Sequence, residues 1–470
     1  MKRAVALAVL LVLAAPQLVF AHGLTGRADL PIPTWLFSWG AALVLVVSFV
    51  GLAVLWPRPK LEDERFRPLP RGVNAVLTSR ALEVICGATG VALLLLVLWS
   101  GLAGTDVIGR NLAPTFVYVG FWLGLVPLSV VFGDVFRAFN PWRAAGRLSG
   151  RLFGRHAPEP LPYPDRLGRW PAAAGLLAFA WLELVSSSGD RPFVIALATL
   201  IYSTVTWFGM SLYGVEAWCN RAEAFSVYFN LFSRLSVFER RGEQVGLRRP
   251  LSGLARLEPA PGTVALLAVM IGSVSFDGLS GGPSWQVWLD PVLDFFREDL
   301  GLGPKDALEL SYALGLLATI GLVYGFYRLG VAGARSVDRR QSTEGLANGF
   351  VHSLVPIALA YVAAHYVSLL LFQGQALAAL ASDPLGKGSN LFGTAGWTVD
   401  LGFVSAEVFW YLQVGFVVAG HLAALVLAHD RALTMYDDPR LATRSQYWML
   451  AVMVGFTTLA LWLLSEASKG

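Results

Sequence analysis

Histidines and intramembrane acids are the residues of this chain whose types suit chemistry. Four of the six histidines lie in two consecutive apolar stretches near the C-terminus, Gly349–Phe372 and Phe403–His429. These histidines are His352, His365, His421 and His429. Ionisable side chains are expensive in hydrocarbon, so those inside apolar stretches are functional candidates by default.

Carboxylates add to this set. Glu183, Asp277, Glu309 and Glu407 each fall in or at the end of an apolar stretch. One imidazole with carboxylate oxygens suits the activation of water, the binding of a divalent ion such as Zn or Mn, or the binding of a cation or proton. The sequence contains no HExxH, P-loop or glycine-rich dinucleotide motif.

Composition predicts the elements that must position these residues. The 470 residues are 55% hydrophobic and only 14% charged, and the apolar residues come in runs of about 20, the length that crosses a bilayer as a helix. This pattern predicts an all-α, polytopic transmembrane helical bundle with about ten spans. The spans are expected at about 35–56, 83–104, 114–133, 168–187, 192–215, 259–277, 307–328, 349–373, 403–429 and 444–464.

The first 21 residues are expected to be a signal peptide. Lys2 and Arg3 precede a short apolar core, and Val19 and Ala21 are small residues at the positions read by a signal peptidase. Residues 22–470 would then form a single helical membrane domain. The alternative is an uncleaved first helix. Cleavage would leave His22 with a free amine, an arrangement that suits copper.

Charge asymmetry predicts the orientation. Alternate connections, with the span ends beside them, carry 27 Lys and Arg residues, whereas the other connections and the mature termini carry 7. The positive-inside rule therefore places both mature termini outside the cell (inner) membrane. The basic pI of about 9.1 follows from these loops and their anionic lipid neighbours, so we expect the lipid bilayer as a partner and no nucleic acid.

With this orientation, depth selects an outer site. His365 lies about 12 Å from the expected outer end of its span, and Glu407 lies about 6 Å from that of the next span. Asp277 also falls near an outer end. We therefore predict His365, Glu407 and Asp277 as catalytic residues in one outward cavity. Alternatively, Asp277, Glu183 and Glu309 simply reach the outer headgroups.

A second candidate lies at the inner end. His352 and His429 are within about a turn of it, and Pro356 removes the helical donor of the His352 carbonyl. The cofactor is unknown, and a divalent metal ion is one hypothesis. Its candidate ligands are His365, Glu407, His352, His421 and His429.

Haem does not fit these histidines. Ligation by two histidines needs partners at one depth on different helices, yet His421 and His365 differ in depth by about 10 Å. At 100° per residue, His352 and His365 also point from different faces of their helix.

Two connections share a pattern. Asp134–Arg143 and Phe225–Arg234 both contain Phe-Asn, then an aromatic residue two positions later, then an arginine. An internal repeat of this kind is common in transporters. The alternative, which the composition favours, is two amphipathic segments lying in the membrane interface.

Several stretches resemble one bacterial multi-pass membrane family. They are the opening His22–Phe37, Leu55–Glu62, Phe139–Arg143, and Gly420-His421 together with His429–Arg431. Together they resemble fenitrothion hydrolases over nearly the whole chain. The resemblance implies hydrolysis of an organophosphorus triester with release of a nitrophenol, and a small-molecule substrate.

Two other functional classes remain open. Ten spans, a repeat and intramembrane carboxylates fit a proton- or metal-coupled transporter. An assembly or scaffold subunit of a membrane complex is the third alternative.

Overall fold

A computed structural model describes residues 34–62, 65–153 and 159–467. The predictions for the signal peptide and for His22 lie outside these residues. The helices are α1 Thr34–Leu55, α2 Arg71–Leu77, α3 Arg80–Ala103, α4 Leu112–Thr115, α5 Leu125–Phe132, α6 Val135–Phe139, α7 Pro141–Phe153, α8 Trp170–Leu184, α9 Pro192–Tyr213, α10 Val215–Arg221, α11 Ala224–Ser233, α12 Ser252–Ala255, α13 Thr263–Ser280, α14 Pro283–Asp294, α15 Pro304–Val337, α16 Thr343–Phe350, α17 Leu354–Ser382, α18 Ala406–Met435 and α19 Pro439–Ala467.

Shorter elements complete the described chain. A π-helical stretch, Phe116–Leu123, joins α4 to α5, and a second follows α14 at Phe295–Asp299. Single 3-10 turns lie at Ile108–Arg110 and Val351–Ser353. The strands are β1 Phe66–Pro68, β2 Phe238–Arg241 and β3 Gln244–Arg248.

Long apolar helices dominate the fold, which confirms the all-α prediction. Within the described residues, eight helical segments are long and apolar enough to cross a bilayer, as in a multi-pass membrane protein. Two shorter apolar helices, Trp39–Leu55 and Trp170–Leu184, lie where the sequence predicts the first and fourth spans. The count of ten crossings stays a prediction.

The connections gather at two opposite ends of the bundle. At one end, β3 pairs antiparallel with both β1 and β2, which joins the connection after α1 to the connection after α11. At the other end, the Thr105 N–H donates to the Leu385 carbonyl (2.8 Å), and Ser187 donates to Glu309. We call these the arginine-rich end and the arginine-poor end, because they separate the connections as the charge count does.

Helix α17 is longer than the sequence predicts. It continues to Ser382 instead of ending near residue 373, so residues expected in a loop are helical. Gln375–Ser382 is rich in Ala and Leu, which are strong helix formers, and Pro384 disfavours further helix in the residue before it. Helices α17 and α13 are the most buried of the eight long segments.

The first segment with the shared pattern spans the break between α6 and α7, whereas the second, Phe225–Arg234, lies in α11, which a break at 222–223 separates from α10. All residues of α11 except Asn230 are buried, so the prediction of an interfacial segment is wrong for this helix. Phe225 of α11 packs on Phe121 and Tyr202 (ring centroids 4.8 and 5.5 Å). Both partners lie about 16 Å of helix from the arginine-rich end, so α11 enters the interior of the bundle.

Reciprocal hydrogen bonds join these two broken helices. Asp134 caps α6 and accepts from the Asn230 amide (2.8 Å), while Glu223 caps α11 and accepts from the Asn140 amide (3.0 Å). Each segment therefore supplies an acid to the amide of the other. The internal repeat itself stays a prediction.

Candidate functional site

Asp277 is the centre of an acid and histidine arrangement inside the bundle. One of its oxygens, Oδ2, accepts hydrogen bonds from His365 Nε2 (2.9 Å) and from the Tyr366 hydroxyl (2.7 Å). The Asp277 and His365 side chains are 10% and 11% exposed, so both remain accessible to a small species. Tyr366 is buried.

Helices α13 and α17 place these groups at one height. Asp277 lies 14 residues, or about 21 Å, from the start of α13, and His365 lies 11 residues, or about 17 Å, from the start of α17. Both helices start at the arginine-rich end. The arrangement therefore lies in the interior, beyond the middle of a hydrocarbon layer about 30 Å thick.

Glu183 brings a second carboxyl group. It lies one residue before the end of α8 and close enough to Asp277 for the two groups to interact electrostatically. Its Oε1 is buried and makes no hydrogen bond to any of the residues that the structure describes. We call Glu183, Asp277, His365 and Tyr366 the acid–histidine cluster.

Aromatic rings line the inner side of the cluster. Trp122, from the π-helical stretch, packs edge-on against Tyr366 (centroids 5.0 Å) and against Phe179 (5.2 Å). Tyr228 of α11 lies within electrostatic range of both Tyr366 and Glu183. The cluster is therefore enclosed by apolar ring surface, which strengthens electrostatic interactions between its members.

Glu407 lies elsewhere. It is exposed in the first turn of α18, whose cap is Ser405. The contact of Phe372 with Phe409 (centroids 5.2 Å) sets the register of the antiparallel helices α17 and α18, and it places Glu407 about nine residues, or about 13 Å, beyond His365. Depth alone predicted His365 with Glu407, but His365 is hydrogen-bonded to Asp277.

Glu309 also lies away from the cluster. Its Oε1 accepts from the Ser187 N–H (2.9 Å) and hydroxyl (2.7 Å) at the arginine-poor end, and Lys305 lies 3.8 Å away. The Glu309 carboxylate is therefore paired at the arginine-poor end, where it joins α15 to the connection that follows α8.

His421 and His352 are separate buried histidines. The His421 Nδ1–H donates to the Val417 carbonyl one turn earlier (2.7 Å), while its Nε2 is buried without a protein partner. His352 Nε2 is likewise buried and unpartnered. Neither histidine is hydrogen-bonded to the acid–histidine cluster in the described residues.

His429 and Asp430 hold a segment of the fold. Asp430 accepts from the Trp56 indole (2.8 Å) and from the N–H groups of Lys60 (2.6 Å) and Leu61 (3.1 Å). The His429 Nε2–H donates to the Trp56 carbonyl (3.1 Å), and Nδ1 faces Gln446 Oε1 (3.2 Å). We call this the His429–Asp430 clamp. It joins two of the stretches on which the family resemblance depends.

The five candidate metal ligands do not converge. Among the residues that the structure describes, no three His, Cys, Asp or Glu side chains are grouped so as to hold a metal ion. The acid–histidine cluster contains one of the five, His365, and adds Asp277 and Glu183.

Sequence reasoning missed part of this site. The sequence indicates Glu183 as a candidate carboxylate, with the outer headgroups as the alternative, but it does not single out Tyr366, Trp122 or Tyr228. Tyr366 directly follows His365, which was a usable signal. Nothing in the sequence indicates Tyr228, because its position depends on the burial of α11.

Comparisons with known proteins add no identification. No family model, curated protein or solved structure matches this chain. The resemblance to fenitrothion hydrolases therefore stays a prediction.

Proposed function

We propose that this chain is a proton-coupled membrane transporter and that the acid–histidine cluster is its proton-binding site. The observation that carries the proposal is the buried, unpartnered Glu183 Oε1 beside the hydrogen-bonded Asp277 and His365. An ionisable group is costly in a membrane interior, so its presence there indicates a function.

The physical argument concerns charge. Burying a neutral polar group without a hydrogen bond costs about 2–7 kcal/mol, and burying an unpaired ionised carboxylate costs more. Glu183 is therefore stable in this place either as a neutral acid or with a cation beside it. Exchange of a proton for a cation at the same carboxyl group is the elementary step of coupled transport.

The broken helices support the same function. Secondary transporters are commonly built from internal repeats, with interrupted helices near the middle of the membrane. Helices α6–α7 and α10–α11 are interrupted and reciprocally hydrogen-bonded, and the buried α11 places Tyr228 within electrostatic range of Glu183.

Proton exchange in proteoliposomes tests the proposal. Vesicles would hold an acidic interior and a trapped pH dye, and Na⁺, K⁺, Ca²⁺ or Mn²⁺ would be added to the outside solution. A rise in the interior pH would report exchange of protons for the added cation. We expect one of these cations to drive proton efflux in the native protein. Glu183→Gln should remove it, whereas the matched change Glu309→Gln should retain it. Native rates in Glu183→Gln would refute the assignment.

Hydrolysis is a second candidate because one observation favours it. A histidine held by a carboxylate at 2.9 Å is the arrangement of a general base that activates water. We propose, second, the hydrolysis of an organophosphorus triester that the resemblance implies. Nitrophenol release by the same membranes, lost in His365→Ala, would support it, and membranes inactive on fenitrothion would exclude it.

Localisation belongs with these proposals. The arginine-rich end would face the cytoplasm of a cell whose inner membrane holds the chain, with both mature termini outside. The cluster would then lie nearer the outer face. Cysteine accessibility from either side at Arg240 and at Lys387, changed one at a time, tests this orientation.

A further inference from the structure

Three buried polar atoms that make no hydrogen bond within the described part of the chain lie in or beside the acid–histidine cluster. They are Glu183 Oε1, Trp122 Nε1 and the Tyr228 hydroxyl. Tyr228 is 1% exposed and Trp122 is 5% exposed. Tyr228 lies within electrostatic range of Glu183 and approaches the Trp122 indole without reaching hydrogen-bond geometry. Most buried polar groups are paired, so three unpaired atoms in one place need an explanation.

The three atoms are complementary. The indole N–H only donates, a carboxylate oxygen accepts, and a hydroxyl group does either. A ligand that accepts from Trp122 and Tyr228 and donates to Glu183 satisfies all three. A metal cation at the Glu183 carboxylate would leave the indole N–H unpaired, so it does not satisfy all three atoms at once. An anion does not, because it would meet the Glu183 oxygen.

We propose that Glu183, Tyr228 and Trp122 form a binding site for one water molecule. Its oxygen accepts from the Trp122 indole and the Tyr228 hydroxyl, and one of its O–H groups donates to Glu183 Oε1. Three hydrogen bonds are the usual number for a buried water. The purpose of this water rests on the proposed proton site: it hydrates the Glu183 carboxyl group when that group changes its protonation state.

The site joins two structural units. Glu183 belongs to α8, whereas Tyr228 belongs to α11, whose base lies at the arginine-rich end. A displacement of α11 would withdraw one of the two donors from the water. Hydration of Glu183 is thereby linked to the position of a broken helix.

Infrared difference spectroscopy on the full-length protein tests the site. A pH jump would be applied in ordinary water and in water labelled with ¹⁸O. We expect one isotope-sensitive O–H stretch from a bound water, together with a carboxylic C=O band that Glu183→Gln removes. Tyr228→Phe and Trp122→Phe should each abolish the water band and shift the C=O band. Tyr118→Phe is the matched control, because the Tyr118 hydroxyl is already paired with the Gly189 carbonyl (2.7 Å), and it should retain the water band.

Thermal stability provides an independent readout. If water pairs the Tyr228 hydroxyl, Tyr228→Phe should leave Tm unchanged or lower it. If the hydroxyl is unpaired, its removal should raise Tm, because an unsatisfied buried group is destabilising. A higher Tm, or a water band that survives Tyr228→Phe, would overturn the water site. A water band in a protein that exchanges no protons would retain the site and reject only the transport proposal.

Discussion

The acid–histidine cluster and the His429–Asp430 clamp both contain a histidine and an aspartate, but they differ in how fully their acid oxygens are hydrogen-bonded. In the clamp, Asp430 is 2% exposed and accepts three N–H groups, and both ring nitrogens of His429 face oxygen atoms. In the cluster, Glu183 has an oxygen without a protein partner.

This difference distinguishes the acids that stabilise the fold from the acids that are available to a ligand. A buried acid whose oxygens are all used holds two parts of the fold together, since removing it leaves donors unpaired. A buried carboxyl oxygen that pairs with no donor in the described residues holds no part of the fold in place, so it is available to a ligand. Histidine content alone does not separate the two cases.

The largest effect should come from breaking the clamp. Asp430→Ala leaves the Trp56 indole and the Lys60 and Leu61 N–H groups without their acceptor, and at about 1–3 kcal/mol for each unpaired donor we expect a loss of about 3 kcal/mol or more in unfolding free energy. Thermal unfolding in detergent measures it. Asp437→Ala, an exposed aspartate seven residues later, is the control and should change little.

Asp277→Asn should have a smaller structural effect and a large functional one. It removes the charge that accepts from His365 and Tyr366, so we expect a loss of about 1.5–3 kcal/mol. Proton exchange should fall about 100-fold, the order of a lost acid–base group. The exposed Asp290→Asn provides the comparison. Undiminished exchange would place the proton site elsewhere.

Glu183→Gln is the sharpest test of the comparison. Because Oε1 accepts no hydrogen bond from the described residues, its replacement should change the free energy of unfolding by no more than about 1.5 kcal/mol, the net contribution of one hydrogen bond, while proton exchange is lost. A loss of stability as large as that of Asp430→Ala would show that Glu183 is structural, and the contrast between the two regions would disappear.

The smallest effect concerns Glu239, in the sheet at the arginine-rich end. Burial alone would raise the pKa of Glu239, but hydrogen bonds from Arg256 and Arg241 and the charge of Arg248 outweigh it and hold the pKa below its ordinary value. The contribution to stability is therefore complete above the unfolded pKa, about 4.3, and is lost as pH falls through the folded pKa. We expect Glu239→Gln to cost about 1 kcal/mol or less at pH 7. The difference from the native protein should vanish in strong acid, and a difference independent of pH would contradict the assignment.

Sequence alone was sufficient for the helical class and for the distribution of charge between the two ends. Both depend on local composition: apolar runs are long enough to cross a bilayer wherever they lie, and arginines mark one set of connections whatever the helices pack against. It also selected His365 and Asp277, because an ionisable residue inside an apolar run is conspicuous without a structure.

Which of these residues lie in contact depends on the tertiary structure. His365 meets Asp277, 88 positions away, and not Glu407, because partner choice depends on the rotation and vertical offset of packed helices. That offset is fixed by contacts such as Gly420 against Ala360, where a side chain would prevent close approach. The burial of α11, the three donors on Asp430 and the unpaired oxygen of Glu183 likewise arise only when distant segments pack.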